Sequence, residues 1–341
     1  MNEDMWQETT RHERNLKIWR EELDDFVPAR ILDFHVHVFH PETLPQGEPF
    51  DCAGNLIDQY DFDDLKRDLA EVYPGREVSA VCFGMPFPHY HWQANNQYVA
   101  TGCDRRRFFA LRVVDPAEDP EALRKDIMEG GFVGLKPYPD LVGKQDVNLV
   151  EIHEMLPPEI MRVADELGLL IMLHIPRKLR LADPLNQRQI VELCTAWPRA
   201  KIILAHVGRA YYLKNIVGQL DRFKGLPNLY YDLTMLNHWE VIEYLMQHVA
   251  ADKILHGTDI PIALAAGKSV EINDQYTYVT PRPWSLSISD DHRKLLFTSF
   301  LYEQLRATRK AVQRLGLGRE FVEKLFYENG MGLLNRFLKE K

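Results

Sequence analysis

Eight short apolar runs punctuate the chain, at residues 31–37, 78–84, 108–114, 131–136, 169–174, 201–206, 228–233 and 253–258. Most are nearly continuous in Val, Ile, Leu, Phe and Ala rather than alternating apolar with polar. That is the pattern of parallel strands covered on both faces. Helix-like segments fill the intervals, at 63–72, 92–100, 119–129, 158–167, 183–196, 211–223 and 238–249. Asp119 followed by Pro120 marks a helix start, a capping carboxylate before a proline whose fixed φ suits the first turn. Gly168 marks a helix stop. The C-terminal stretch reads as helix over 290–315, and again over 319–327 and 330–338.

Eight strand-then-helix units in sequence predict a (β/α)8 TIM barrel. An open doubly wound sheet is the alternative. No GxGxxG or GxxxxGK[ST] follows the first run, so the nucleotide signatures of such sheets are absent. Residues 1–30 are charged and read as an N-terminal helical extension, and residues 31–341 as a single barrel domain. Within it, 260–289 reads as a long loop with Pro261, Pro281 and Pro283. Loops of that length in compact domains are usually functional or interfacial.

Polar residues fall where these strands end. His35 and His37 end the first, Lys136 the fourth, His174 the fifth and His206 the sixth, and Asp259 follows the eighth. In a barrel the carboxyl ends of all strands open on one mouth, so residues far apart in sequence meet there. Side chains two apart on a strand share a face, which lets His35 and His37 reach one metal ion. Two imidazoles and a carboxylate are a standard ligand set for a borderline divalent metal. Each feature alone is ordinary; a lone strand-end His is commonly a packed core residue. The ordered set of histidines and one Asp on separate strand ends points to a metal site. His89 and His91 form a second HxH after the second strand, either a surface loop or a substrate contact.

Composition narrows the picture. Hydrophobic residues make up 45% and charged residues 27%, values ordinary for a folded chain. A net charge of −9 argues against a nucleic-acid surface, which needs a basic stripe. The four cysteines form no CxxC pair, and Cys82 and Cys194 read as core packing. The N-terminal stretch lacks the apolar core of a secretory signal, and no run approaches the roughly 18 apolar residues of a membrane span. A cytoplasmic protein is expected.

The words Asp33-Phe34-His35-Val36-His37, Gly131-Phe132-Val133-Gly134-Leu135-Lys136, Leu173-His174, Ala205-His206-Val207-Gly208, Tyr231-Asp232-Leu233-Thr234, Gly257-Thr258-Asp259-Ile260-Pro261 and Glu328-Asn329-Gly330 occur in this order along nearly the whole chain. In that order they resemble the amidohydrolase superfamily, within it the amidohydrolase-related branch that includes aminocarboxymuconate semialdehyde decarboxylase. The resemblance implies that His35, His37, His174 and Asp259 bind one divalent metal, zinc or manganese. It implies His206 and Asp259 as the catalytic pair, with Asp259 both ligand and proton acceptor. In binuclear members a strand-four Lys is carboxylated and bridges two metals. Lys136 stands at that place, but its context also matches the mononuclear branch, where it is free to hold a substrate anion.

Arg177 and Arg209 closely follow His174 and His206. Arginines at a barrel mouth suit bidentate carboxylate binding. With Lys136 and Tyr138 they form the expected substrate-binding set, for a small anionic molecule. Tyr138, Trp284 and the 260–289 loop are candidates for a lid or a subunit contact, and a homodimer is compatible with the charged N-terminal arm. Two enzyme functions share these parts. One is a hydrolase in which metal-activated water attacks an ester, lactone or amide. The other is a lyase, a non-oxidative decarboxylase or hydratase. A non-catalytic metal-binding protein is the third reading, for which a complete ligand set has no obvious purpose.

Overall fold

The structure is a computed structural model that describes residues 9–292 and 294–338. Eight parallel strands form one sheet in the order β1-β4-β5-β6-β7-β8-β9-β10. They are β1 (Arg30–His37), β4 (Glu77–Phe83), β5 (Phe108–Val114), β6 (Gly134–Pro137), β7 (Leu170–Leu173), β8 (Lys201–Leu204), β9 (Leu229–Asp232) and β10 (Ile254–Leu255). A small hairpin, β2 (Phe50–Cys52) and β3 (Asn55–Ile57), lies in the connection after β1. With helices between successive strands, this is the (β/α)8 barrel.

The near-continuous apolar runs are explained by two separate cores. Alternate residues of the strands, among them Leu32, Phe34, Val81, Phe83, Phe109, Leu111, Leu170, Met172 and Ile203, pack together inside the barrel. Their neighbours, such as Ile31, Val78, Ala80, Phe108, Ala110, Ile171 and Ile202, pack outward against the helices. A strand that serves both cores has no face left for polar residues. Gly134 permits close strand approach, since a Cβ there would lie 2.2 Å from the carbonyl oxygen of Leu170.

The barrel closes by individual bonds rather than by a regular ladder. The amide of Phe34 donates to the His256 carbonyl at 2.9 Å, Asp259 to His35 at 2.8 Å, and His37 to Ile260 at 2.8 Å. Asp33 adds a side-chain clamp: its carboxylate accepts from the Thr258 amide at 3.0 Å and from the Thr258 hydroxyl. Asn329 supports the start of β10, its side-chain amide donating to Ala251 at 2.7 Å and Ile254 at 2.8 Å. At Gly330 a Cβ would lie 2.7 Å from Leu32. The Asn-Gly pair therefore allows the C-terminal helix Asn329–Leu334 to pack directly on the barrel interior.

Several expected boundaries shift. The strand expected over 253–258 is hydrogen-bonded as a strand only at Ile254–Leu255, because its later residues turn to bond β1 singly. The strand expected over 131–136 begins at Gly134, since Gly131 is spent as the left-handed stop of helix Pro120–Gly130. The helix expected over 211–223 is two short 3-10 turns, Leu213–Asn215 and Asp221–Phe223, separated by Gly218 at φ 75°. Helix does not begin near 290 but at Phe300–Arg314, where the Ser299 side chain caps the Tyr302 amide. Asp119, Gly168 and Asp183 do bound their helices.

Residues 260–289, expected as loop, hold a three-stranded sheet of β11 (Lys268–Ile272), β12 (Gln275–Thr280) and β13 (Ser287–Ser289). Asn273 and Asp274 both have positive φ, 50° and 58°, and join β11 to β12 as a two-residue hairpin turn. At the N-terminal end, helix Thr9–Ile18 leads into a π-helical turn. Trp19 and Leu23 of that turn, and Val27 after it, are buried in the outer core. The charged lead-in thus docks on the barrel through these apolar residues; its first eight positions lie outside the described residues.

His256 sits in the closing seam, stacked on Phe326 at 4.4 Å, with Nε2 3.0 Å from the Tyr73 hydroxyl. Burial pushes its pKa down from 6.5 to about 3. A depressed histidine pKa means stability that is full above the unfolded value and is lost as pH falls toward the folded one. We expect His256→Gln to remove about 2–3 kcal/mol of the stability lost between pH 7 and pH 4.5. Urea denaturation of both proteins at the two pH values checks this, and parallel losses in the two would refute it.

Candidate active site

The predicted strand-end residues meet at the mouth. His35, His37, Lys136, Tyr138, His174, His206, Arg209 and Asp259 all line one cavity of about 520 Å³. Asp259 is central. Its Oδ1 lies 3.3 Å from His37 Nε2 and 3.7 Å from His35 Nε2, and its Oδ2 lies 4.0 Å from His206 Nε2. Potential ligand atoms of His35, His37 and Asp259 all lie within 4.8 Å of one another. His174 stands outside that trio, its ring 5.5 Å from the His206 ring and 4.7 Å from that of Tyr138.

Local irregularity aims these groups. The register of β1 against β4 slips between Asp33 and Val36. Before the slip Asp33 pairs with Ala80 of the outer core; after it His37 pairs with Phe83 of the inner core. The extra residue turns the histidine pair into the barrel, as β-bulges beside active sites do. After β8 the chain makes a left-handed turn through His206, Val207, Gly208 and Arg209, with φ of 54°, 52°, 64° and 58°. Asp259 also has positive φ, 75°. Such backbone is strained for residues other than glycine and persists only when its surroundings enforce it.

The ring nitrogens fit a metal. His37 Nδ1 lies 3.1 Å from the Gly84 carbonyl and His206 Nδ1 3.1 Å from that of Thr234. A carbonyl only accepts, so both Nδ1 atoms carry the proton and both Nε2 atoms present a lone pair to the cavity. His174 Nδ1 is buried and has no hydrogen-bond partner among the described residues. A buried polar nitrogen left orphaned is costly, and a ligand in the cavity would satisfy it. The donor set suits zinc or another borderline divalent ion.

Burial governs the charges. It lowers His206 to about 4. It also holds His35 and His174 well below the ordinary imidazole value, reinforced by Lys136 at His35 and by Arg209 at His174. All three are therefore neutral near pH 7. Burial alone would raise Asp259, but the positive charge that the surrounding imidazoles carry when protonated holds it well below the usual carboxylate range. Lys136, buried with Nζ 3.3 Å from His35 Nε2, is pushed down to about 8.

One expected residue sits elsewhere. Arg177 does not line the cavity; its Nε pairs with Asp183 at 2.9 Å. Asp183 caps the next helix, so the carboxylate that starts it also draws Arg177 away. His91 lies outside the cavity wall, whereas His89 lines it. Sequence reasoning passed over the aromatic wall of Phe50, Phe87, Tyr211, Tyr276 and Tyr278. Tyr211 and Tyr276 stack at 4.7 Å, with the Arg180 guanidinium 4.4 Å from the Tyr276 ring centre. Tyr276 and Tyr278 come from β12, whose alternating Tyr-Thr-Tyr-Val-Thr is the signal that could have revealed them. Trp284 also lines the cavity, beside Tyr278 at 5.1 Å.

A family model described as amidohydrolase matches residues 32–335. The chain belongs to the amidohydrolase family. As a member it is an enzyme. No curated protein matches this amidohydrolase in sequence. Solved structures match it in fold. One, described as a probable 2-pyrone-4,6-dicarboxylic acid hydrolase from Acinetobacter baumannii with citric acid bound, is 14% identical, with a TM-score of 0.54 over 89% of this chain and 99% of that one. A Burkholderia multivorans amidohydrolase with bound zinc is 10% identical, TM-score 0.59, over 90% and 99%. A 4-oxalomesaconate hydratase from Rhodopseudomonas palustris is 17% identical, TM-score 0.53, over 90% and 96%. At these identities the likeness is one of fold. Among the described residues no helix is long and apolar enough to cross a membrane.

The Thr258 clamp sets where Asp259 sits, and its removal leaves one oxygen of buried Asp33 without its donor. Thr258→Val is expected to cost about 1–3 kcal/mol. Urea denaturation reads the loss, and an unchanged midpoint at unchanged slope would contradict it.

Proposed function

We propose that this amidohydrolase is a cytoplasmic, mononuclear zinc hydrolase that opens an ester, lactone or amide bond in a small carboxylated substrate. The observation that carries the reading is a juxtaposition in one cavity. The His35, His37 and Asp259 cluster shares its cavity with Lys136, whose Nζ lies 3.3 Å from His35 Nε2, and with Arg209, and neither cation forms an ion pair among the described residues. A cation site beside two unneutralised cationic side chains is suited to a substrate with an anionic arm.

His35, His37, His174 and Asp259 would hold the metal. When bound, a divalent ion there supplies Lewis acidity to an oxygen of substrate or water. The protein's own groups do the rest. Lys136 and Arg209 bind and orient the substrate carboxylate. The aromatic wall shields the reacting end from solvent. His206, with Nδ1 committed to the Thr234 carbonyl, is free to take up and return a proton at Nε2. Neutral lysine would be required for carboxylation, and Lys136 is instead assigned to the substrate anion. The named substrates of two structural neighbours, a pyrone dicarboxylic acid and an oxalomesaconate, are also carboxylated.

The purified protein is expected to carry about one equivalent of zinc per chain by elemental analysis; two would overturn the mononuclear assignment. His206→Asn keeps a donor toward Thr234 but has no base at Nε2, so it should retain zinc and lose about 10²–10⁴ of turnover. Full activity in that variant would remove His206 from the chemistry. Arg209→Met should raise KM for a carboxylated ester or lactone by about 10- to 100-fold, the worth of a charged hydrogen bond, while the corresponding uncharged ester is unaffected. Product analysis separates the lyase: carbon dioxide release, or water addition to a double bond without cleavage, would replace the hydrolase assignment.

A further inference from the structure

Asp232 ends β9 and is completely buried. Its two oxygens serve two of the site's histidines. Oδ1 accepts the backbone N–H of His206 at 2.6 Å and that of Thr234 at 3.3 Å. Oδ2 lies 3.0 Å from His35 Nδ1. We propose that Asp232 is a positioning residue that fixes the tautomer of His35 for metal binding and anchors the turn that carries His206. The proposal rests on the metal-dependent reading above and deepens it.

The tautomer follows from the partners. A carboxylate whose Oδ1 already receives two N–H groups is an acceptor at Oδ2 as well. His35 Nδ1 therefore holds the proton, and Nε2 presents its lone pair. Nε2 is the atom that faces Asp259 at 3.7 Å. A metal takes only an unprotonated ring nitrogen, and a carboxylate behind the ring raises that nitrogen's basicity. His37 and His206 receive the same orientation from neutral carbonyls. His35 is the one of these three that is set by a carboxylate side chain.

The second task concerns the strained turn. A left-handed conformation costs L-residues roughly 1–2 kcal/mol each, so the turn at 206–209 needs external support. The bond from the His206 amide to Oδ1 is such a support, at the turn's first residue. The same carboxylate thus contacts the His35 ring and the backbone of His206, whose two rings stand 5.0 Å apart between centroids. Moving Asp232 would disturb a metal ligand and the acid/base group together.

A pair of substitutions tests this. Asp232→Asn keeps the shape and keeps an oxygen for the two amides. Its NH2 must then donate to His35 Nδ1, which drives the proton to Nε2 and blocks ligation. The same logic applies when an Asp behind a catalytic histidine is replaced by Asn. Asp232→Ala makes a larger hole but leaves the imidazole free to choose its tautomer. Zinc affinity is measured by competition with a chromophoric chelator, with circular dichroism to check folding. The expected order of affinity is wild type, then Asp232→Ala, then Asp232→Asn, with Asn weaker than wild type by about 10- to 100-fold or more. A purely structural role predicts the reverse order for the two variants and would overturn the proposal, as would zinc affinity in Asp232→Asn within twofold of wild type.

A second measurement needs no Asp232 variant. In the zinc-free wild type labelled with [15N]histidine, long-range NMR correlations report each tautomer, and His35→Gln assigns the signal. Protonation at Nδ1 is expected; protonation at Nε2 overturns the proposal even if zinc binds. A wild type with the expected tautomer that takes up no zinc overturns the metal reading instead, and with it the task assigned to Asp232.

Discussion

The site depends on how the barrel is closed. β1 and β10 share no regular ladder, and the gap is bridged by a few backbone bonds and by Asp33 clamping Thr258. That seam does two things at once. It completes the cylinder that buries the inner core, and it sets Asp259 against His35 and His37. A β10 of two residues frees the following chain to turn early, so the carboxylate stands beside the histidine pair rather than along the strand. Burial of Asp33 raises its pKa to about 7, which Thr258 opposes by donating to it. A buried carboxyl in the seam is thus tolerated because its donors are already in place.

Around that seam, strain and irregularity concentrate. The slip in β1, the left-handed turn after β8 and the positive φ of Asp259 all lie at the mouth. Elsewhere the strands are regular and their side chains are divided cleanly between two cores. Regular packing supplies the stability that irregular aiming consumes. Over the mouth, the hairpin of β2 and β3 and the sheet of β11 to β13 come together: a Cβ on Gly54 would lie 2.6 Å from the Pro283 carbonyl oxygen. These two additions give the cavity Phe50, Tyr276 and Tyr278 of its aromatic wall, while the barrel's own loops add Phe87 and Tyr211 and supply the polar groups.

Much of this was readable in advance. The eight runs, the order of His35, His37, His174, His206 and Asp259, and the capping residues Asp119 and Gly168 follow from local rules of periodicity and hydrogen bonding. The errors also have local causes. A helix over 211–223 was expected from composition, and Gly218 at positive φ breaks it. The sheet in 260–289 was hidden by its prolines, although the Asn273-Asp274 turn and the alternation of β12 were present. Arg177 looked like Arg209 in sequence, since each follows a strand-end histidine by three residues. Asp183 holds one, and the left-handed turn delivers the other to the cavity.

Sequence was sufficient for the barrel and for the strand-end histidines, lysine and aspartate that come together at its mouth, because strand periodicity and the common direction of parallel strands are short-range and topological facts. It was not sufficient for the tasks of Asp232, Asp33 and Thr258. These residues were visible within motif words, but a hydrogen bond between positions 33 and 258, or 35 and 232, exists only once the cylinder is closed. Nor does strand alternation say which face His35 and His37 take. One inserted residue reverses that face, and whether β1 slips depends on its partners in β4 and in the closing seam.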